Sequence, residues 1–224
     1  MPSSYTPLGV ELMVTGEQAG LWGDKTNTNL QIVSQISGGF TTQAVSGTGN
    51  TDITVNDGST GSALATRVIE LTGTITGAIT VSIPLDVENF YIIKNSTSGA
   101  FSVEFQYVSG SGTSVTWSST DKGTKILYAK ADDGTNPNIV DVFSQSSQIN
   151  LVNRNEVRFE DTTGGQYVGL RAAATVGSSF TLNLPTADAS SSGQALVSDS
   201  SGNLSFADAG ISTGKAIAMA MIFG

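Results

Sequence analysis

Hydrophobic and polar residues alternate along most of this chain, and a period of two is the pattern of a β-strand. In 78–84, Ile79, Val81 and Ile83 fall on one side of such a strand, and 101–107 repeats the pattern. Further runs of this kind occupy 67–76, 125–129, 138–143 and 180–185. Gly, Ser, Asn and Asp interrupt the runs about every 8–12 residues. This spacing predicts a mainly β protein: an antiparallel β-sandwich or jelly-roll-like domain with a second small β module.

One short helix is predicted near the N-terminus. Leu30, Val33 and Ile36 recur at three-residue spacing within 26–37, and Thr26 or Asn27 can cap the first turn. The apolar stretch 215–223 has helical character as well.

The composition along the chain predicts three parts. Residues 1–45 form an N-terminal arm with the short helix, which serves attachment or packing. Residues 46–145 form a β domain of about seven strands, and residues 146–224 form a second β module with an apolar C-terminal tail. The polar segment 144–148 breaks the alternation and is the best candidate for the linker.

Two stretches about 100 residues apart resemble each other in the order of their features. Each of 68–103 and 167–206 has an alternating run that ends in proline, a further apolar run, and a Ser- and Gly-containing turn. Two interpretations are open. The two stretches share a structural module, or the similarity is only what any Ser- and Thr-rich β chain shows.

The residue types that are missing exclude most catalytic and metal chemistry. The chain has no Cys and no His, so it cannot build a Ser-His-Asp triad, a thiolate zinc site or an imidazole metal site. Carboxylate pairs such as Asp86 and Glu88 are interpreted as solvated turns rather than as a glycosidase pair. The sequence therefore predicts no enzyme, no cofactor and no metal site.

The charge pattern excludes two classes of partner. The chain has 10 Lys and Arg against 19 Asp and Glu, a net charge of −9, and its cations are scattered, so nucleic acid is not expected as a partner. No apolar run reaches the ~18–20 residues of a membrane helix, and no export signal is visible at the N-terminus, so no membrane association is predicted.

Trp22 lies in an unusual segment with Gly16, Gly20 and Gly23 close to it. The glycines indicate a tight loop that buries the indole ring. So near the N-terminus, the ring either docks on a partner or folds back onto the β domain. Trp117, inside an alternating run, is interpreted as a core or interface residue rather than as a platform for a glycan.

Eight consecutive apolar residues, 216–223, form the C-terminal tail. Its large side chains are Ile217, Met219, Met221 and Phe223. Because an exposed run of this kind favours aggregation, we expect it to be buried, either between subunits or in the core of the chain itself.

Three segments together resemble the virion structural proteins of marine bacteriophages, including phages of cyanobacteria. They are 11–32, which contains Trp22, then 119–128, and finally 182–188 with 193–206, a pattern similar to phage fibre modules. The resemblance implies a non-enzymatic virion component, with 1–45 as the part that attaches to or packs in the virion. It also implies self-association, most often as a homotrimer.

The position of the protein in the particle is open at this stage. We expect a tail-fibre or fibre-base component that docks on other virion proteins of the tail or capsid. The chain is short and ends in an apolar tail rather than a receptor-binding tip, which favours a fibre base, connector or head-attached fibre over a long receptor-binding fibre. The alternatives are a capsid decoration or head-fibre protein, and a module that binds a host surface glycan during adsorption. In each case we expect the protein in the virion, after assembly in the host cytoplasm.

Overall fold

The structure is a computed structural model that describes residues 3–120, 122–144, 149, 151–209 and 221–222. Its residues group into two compact units, Met1–Ile149 and Asn150–Gly224. Strands predominate in both, so the predicted mainly β class is confirmed. The predicted start of the second module, residue 146, precedes the division between the units by four residues. In the described part of the chain, no helix has the length and apolarity needed to span a bilayer.

The first unit begins with a strand pair and a helix. The strands β1 (Ser4–Tyr5) and β2 (Glu11–Leu12) pair antiparallel, and the helix α1 (Trp22–Gly38) follows. The predicted helix is confirmed, and it starts four residues earlier than expected, at Trp22. It ends where Gly39 turns to an extended conformation and donates its N–H to the carbonyl of Gln35 at 2.7 Å.

Nine strands then form two sheets. In chain order they are β3 (Phe40–Ala44), β4 (Gly47–Asp52), β5 (Val68–Thr72), β6 (Ile75–Ile83), β7 (Asn89–Asn95), β8 (Val103–Tyr107), β9 (Val115–Trp117), β10 (Thr124–Ala129) and β11 (Ile139–Asp141). The 3-10 helix η1 (Ala63–Ala65) lies between β4 and β5. One sheet has the strand order β11-β10-β7-β5-β3, and the other has the order β4-β6-β8-β9. From β3 to β8 the chain therefore changes sheet at every strand.

From β3 to β8, successive strands of the same sheet pair in parallel. The chain thus forms three stacked coils of two strands each: β3 with β4, β5 with β6, and β7 with β8. Val68 pairs with Ile92 and Ile79 pairs with Val103, so the repeat between the second and third coils is 24 positions in both sheets. The hydrogen bonds continue through the corner between the sheets, where Gly73 accepts the N–H of Ser98 at 2.9 Å.

The pairing corrects one part of the predicted fold. The core strands β3 to β8 pair in parallel, whereas β10 pairs antiparallel with β7 and β11, and β9 pairs antiparallel with β8. The reason lies at the corners. The two residues Gly73 and Thr74 between β5 and β6 direct the chain to the other sheet instead of returning it beside β5. In addition, β3 belongs to the five-stranded sheet, so 40–44 lie in the β domain rather than in an arm.

Both sheets contribute to one hydrophobic core. Ile69 and Leu71 from one sheet and Ile79, Val81 and Ile83 from the other are at most 2% exposed and belong to the same cluster. For these strands, the alternation in the sequence identified the inward face correctly. The two sheets face each other as a sandwich-like pair, in agreement with the predicted fold class.

The second unit contains two antiparallel hairpins: β12 (Val157–Glu160) with β13 (Tyr167–Leu170), and β14 (Gln194–Ser198) with β15 (Leu204–Asp208). The predicted strand at 180–185 is wrong, since only Asn183 makes a bridge, to Asn203. The internal similarity does not extend to strand pairing. In the first unit β7 and β8 lie in different sheets, whereas the corresponding β14 and β15 pair with each other.

Candidate self-association surface

The described part of the second unit leaves most of its large apolar side chains on the surface. Every buried hydrophobic residue of the chain that the structure describes lies between Ile32 and Ile139. By contrast, exposed large hydrophobic residues are spread through the described part of the second unit, from Leu151 to Ile222. A unit of this size is normally held together by an apolar core. Its apolar side chains therefore need another surface to cover them.

The hairpin β12–β13 has one entirely apolar face. Val157 lies opposite Leu170 and Phe159 lies opposite Val168, and residues directly opposite each other share a face. The exposed fractions of these four residues run from 44% for Val157 to 69% for Val168. Together they form a continuous patch, which we call the apolar hairpin face.

The other face of the same hairpin is polar, and its Arg158 is paired with a carboxylate. The guanidinium of Arg158 donates to a carboxylate oxygen of Glu156 at 2.6 Å and lies 4.1 Å from the centre of the Tyr167 ring. The hydrogen bond from Arg158 lowers the pKa of Glu156. This face is therefore suited to remain in water, unlike the apolar hairpin face.

The second hairpin is held by its turn. The carboxylate of Asp199 accepts the backbone N–H groups of Ser201 at 2.8 Å and Asn203 at 2.9 Å, and its other oxygen accepts the Asn203 amide. The bonds to Asn203 and Ser201 lower the pKa of Asp199. On the strands, Leu196 lies opposite Phe206, and Leu196 is 53% exposed. This hairpin adds a smaller apolar surface to the unit.

Trp22 is the first residue of α1, and its side chain is 61% exposed. The expectation that it folds back into the β domain is therefore wrong. The segment before it is not a closed loop around the ring, because the helix begins at Trp22 and includes Gly23. Leu30 and Val33, at compatible helical spacing, are also exposed. Docking of Trp22 on a partner stays a prediction.

A buried carboxylate fixes the segment that precedes Trp22. Glu11 accepts hydrogen bonds from Ser3 at 2.7 Å and Gln18 at 2.9 Å and forms an ion pair with Lys25 at 3.0 Å. The Asn29 side chain bonds both the N–H and the carbonyl of Glu11. The bond from Ser3, followed by that from Lys25, lowers the pKa of Glu11. This network ties the N-terminal strands to α1 and so holds Trp22 at the surface.

The predicted tail site lies largely outside the described residues. Ile217, Met219 and Phe223 are not described, and Met221 is 82% exposed. The tail as an interface therefore stays a prediction. The sequence analysis missed the apolar hairpin face, although 157–160 and 167–170 contain apolar residues at alternate positions. Those runs are only four residues long, too short for the pattern to stand out.

The other features considered in the sequence do not form a chemical site in the described residues. Among these residues, no three Asp or Glu side chains come together as a metal site would require. Trp117 is fully buried and donates its indole N–H to the carbonyl of Gly123 at 2.9 Å, as expected for a core residue. Its ring is therefore closed to a glycan.

Comparison with known proteins identifies no relative: no family model, no curated protein and no solved structure matches this chain.

Proposed function

We propose that this chain is a non-enzymatic structural protein of a bacteriophage particle, a component of a tail fibre or fibre base. In this proposal it self-associates, as a homotrimer, and docks on other proteins of the particle. The resemblance of three segments to phage virion proteins suggests the setting and the number of copies.

The observation that supports self-association is the exposure of large apolar side chains across the described part of the second unit. Soluble monomers rarely expose large continuous apolar patches, and such patches commonly mark contacts with other proteins. Copies of the same chain are the partner always present at equal concentration, and homo-oligomers with closed symmetry are the common outcome. The first unit, with a core of its own, is then free to act as a rigid body within an appendage.

A mechanical role also agrees with the chemistry of the surface. Charged residues make up 13% of the chain, and no His or Cys is present. The carboxylates described above bond to neighbouring parts of the chain: Glu11 to Ser3, Gln18 and Lys25, and Asp199 to the turn at Ser201 and Asn203. In this proposal the work of the protein is assembly and attachment.

Light scattering of the full-length chain over a range of concentrations tests the self-association. We expect a mass three times the 23.0 kDa of the single chain. A monomer at all concentrations would contradict the proposal. Immunogold electron microscopy of particles then tests the location, and label on the tail is the expected result. Absence of the chain from purified particles would exclude a virion protein.

A further inference from the structure

We infer that Asp133 is a site of spontaneous covalent modification, at which the residue converts to isoaspartate through a cyclic succinimide. The inference does not depend on the proposed function. The sequence has two Asp-Gly pairs, Asp57–Gly58 and Asp133–Gly134, and no Asn-Gly pair. Such pairs hinder the reaction least, because glycine has no Cβ to obstruct the attacking backbone nitrogen. The structure favours the reaction at Asp133 and opposes it at Asp57.

The reaction needs no enzyme and no co-reactant other than water. The backbone nitrogen of Gly134 bonds to Cγ of Asp133 and loses its proton, and a carboxyl oxygen leaves as water. A second water molecule then opens the ring at one of its two carbonyl carbons. Cleavage of the new bond at Cγ restores aspartate, whereas cleavage of the original peptide bond leaves the main chain running through Cβ and Cγ. The mass of the chain is unchanged, and its backbone is one carbon longer at this residue.

The carboxylate of Asp133 is folded back onto the backbone that must attack it. Its Oδ1 accepts the N–H of Thr135 at 2.8 Å, a bond by which an aspartate closes a turn over the residue that follows it. Within the part of the chain that the structure describes, no acceptor receives the N–H of Gly134. A Cβ added at Gly134 would have no atom within 4 Å. The nitrogen can therefore turn toward Cγ without breaking a bond or displacing a neighbour.

The surrounding structure holds the other Asp-Gly pair in place. The N–H of Gly58 donates to the carbonyl of Gly9 at 2.8 Å. A Cβ added at Gly58 would lie 2.9 Å from Cε1 of Tyr5, so this glycine packs against the tyrosine ring. Closure of a succinimide at Asp57 has to break the bond to Gly9 and move the backbone away from that ring. Asp57 and Asp133 are both exposed, so access to water does not distinguish them.

The conversion alters the connection between β10 and β11. Next to Asp133, the carboxylate of Asp132 accepts the N–H of Asn138 at 3.1 Å and pairs with Lys130 at 2.9 Å. The side chain of Asn138 in turn accepts the N–H of Thr113 at 2.9 Å. An additional backbone carbon within this set of contacts lengthens the segment and displaces the bonded groups from each other. We therefore expect isoaspartate at residue 133 to loosen this connection.

Peptide mapping of the folded full-length chain after prolonged incubation in near-neutral buffer tests the inference. Trypsin cuts after Lys and Arg, which places the two sites in separate peptides, 26–67 and 131–154. Electron-transfer fragmentation distinguishes isoaspartate from aspartate in each peptide. We expect isoaspartate to accumulate at residue 133 at least about tenfold faster than at residue 57, because only residue 57 needs a local opening of the structure. Equal rates, or a faster rate at residue 57, would overturn the inference.

The same chain unfolded in urea separates the effect of the fold from that of the local sequence. Both sites are Asp-Gly pairs, so their rates in urea should agree within about threefold once the folded contacts are lost. A tenfold preference for residue 133 that persists in urea would come from the local sequence, and the inference would fail. It would also fail if residue 133 reacted in urea but not in the folded chain.

Gly134→Ala is the matched variant, because space is open for its Cβ. The added Cβ crowds the attacking nitrogen, so isoaspartate at residue 133 should form at least about fivefold more slowly, while the rate at residue 57 stays the same. An unchanged rate at residue 133 would exclude attack by the nitrogen of residue 134.

Discussion

The hydroxyl of Tyr91 donates a hydrogen bond to the backbone carbonyl of Leu64 at 2.9 Å, and both residues are fully buried. The bond joins β7, in the third coil, to η1, which precedes the second coil. Burial also raises the pKa of Tyr91, because the phenolate would lose its hydration. One polar contact thus holds a connecting segment against the core of the stacked coils.

Tyr91→Phe should therefore destabilise the protein. It leaves the Leu64 carbonyl with only the longer bond from Asn89, at 3.4 Å. We expect the free energy of unfolding to fall by about 1–3 kcal/mol, as measured by urea denaturation. Tyr128→Phe is the control, because its hydroxyl bonds Glu88 at the surface, and it should change stability by about 0.5 kcal/mol or less. Equal losses for the two variants would contradict this role of Tyr91.

The corner between the sheets depends on Gly73. Its φ is +120°, and a Cβ there would lie 2.2 Å from the carbonyl oxygen of Val45 in the coil below. Gly73→Ala must move the backbone of one coil relative to the next. Gly61→Ala is the control. Gly61 has a φ of +90° and no atom within 4 Å of an added Cβ, so this variant measures the free-energy cost of the backbone conformation without a close contact.

We expect Gly61→Ala to lower the free energy of unfolding by about 1–2 kcal/mol. Gly73→Ala should lower it by at least about 2 kcal/mol more, because a close contact adds to the strain. Thermal unfolding followed by circular dichroism measures both. Similar melting temperatures for the two variants would show that the coils do not approach at this corner as described.

The inward faces of the strands could be predicted from the sequence, and the direction of pairing could not. Ile79, Val81 and Ile83 are buried as expected, because alternation depends only on one face being covered. Parallel and antiparallel strands alternate alike, so the pattern does not distinguish them. The signal in the sequence for parallel pairing was a repeat of 24 positions. Residues 68–74 align with 92–98, and both segments end in small polar residues at the corner between the sheets.

From the sequence, an apolar interface could be assigned to the second module, but not to the residues of the hairpin β12–β13. The sequence placed the interface in the tail, where apolar residues are consecutive and conspicuous. In the structure the exposed apolar residues of β12 and β13 form a face only after the hairpin brings Phe159 beside Val168. That pairing joins residues on two separate short runs, which no local pattern contains.

The hydrogen bond of Glu11 with Ser3 and its ion pair with Lys25 predict sensitivity to acid. The pKa of Glu11 is lowered from 4.5 in the folded chain, so the folded state binds its proton more weakly than the unfolded state does. The stabilisation is then fully present above about pH 4.5 and is lost as the pH falls through the lower folded pKa. We expect the melting temperature to decrease over that acidic range.

Glu11→Gln provides the comparison. It should be less stable than the unmodified chain at pH 7, where the ion pair is intact, and should lose less stability as the pH falls. Melting curves between pH 7 and pH 3 measure the difference. Parallel pH profiles for the two proteins would show that Glu11 does not contribute through its charge.

The two tryptophans should respond in opposite ways to truncation. Trp117 is fully buried, so Trp117→Ala should lower the free energy of unfolding by about 3–5 kcal/mol. Trp22 is 61% exposed, so Trp22→Ala should change it by less than about 1 kcal/mol. Urea denaturation measures both, and a large loss for Trp22→Ala would mean that its ring packs within the chain.

If Trp22 instead docks on a partner, its loss should appear in assembly. An indole ring exposed at the start of a helix, with Leu30 and Val33 exposed along the same helix, is a large apolar anchor without a cover in the described chain. Trp22→Ala should therefore reduce the amount of this protein in assembled particles at least tenfold, as measured by quantitative mass spectrometry. Gln31→Ala, at another exposed position of α1, should leave that amount unchanged. Normal incorporation of Trp22→Ala would show that the ring does not contribute to docking. Together with an unchanged free energy of unfolding of this variant, it would mean that the ring serves neither folding nor docking.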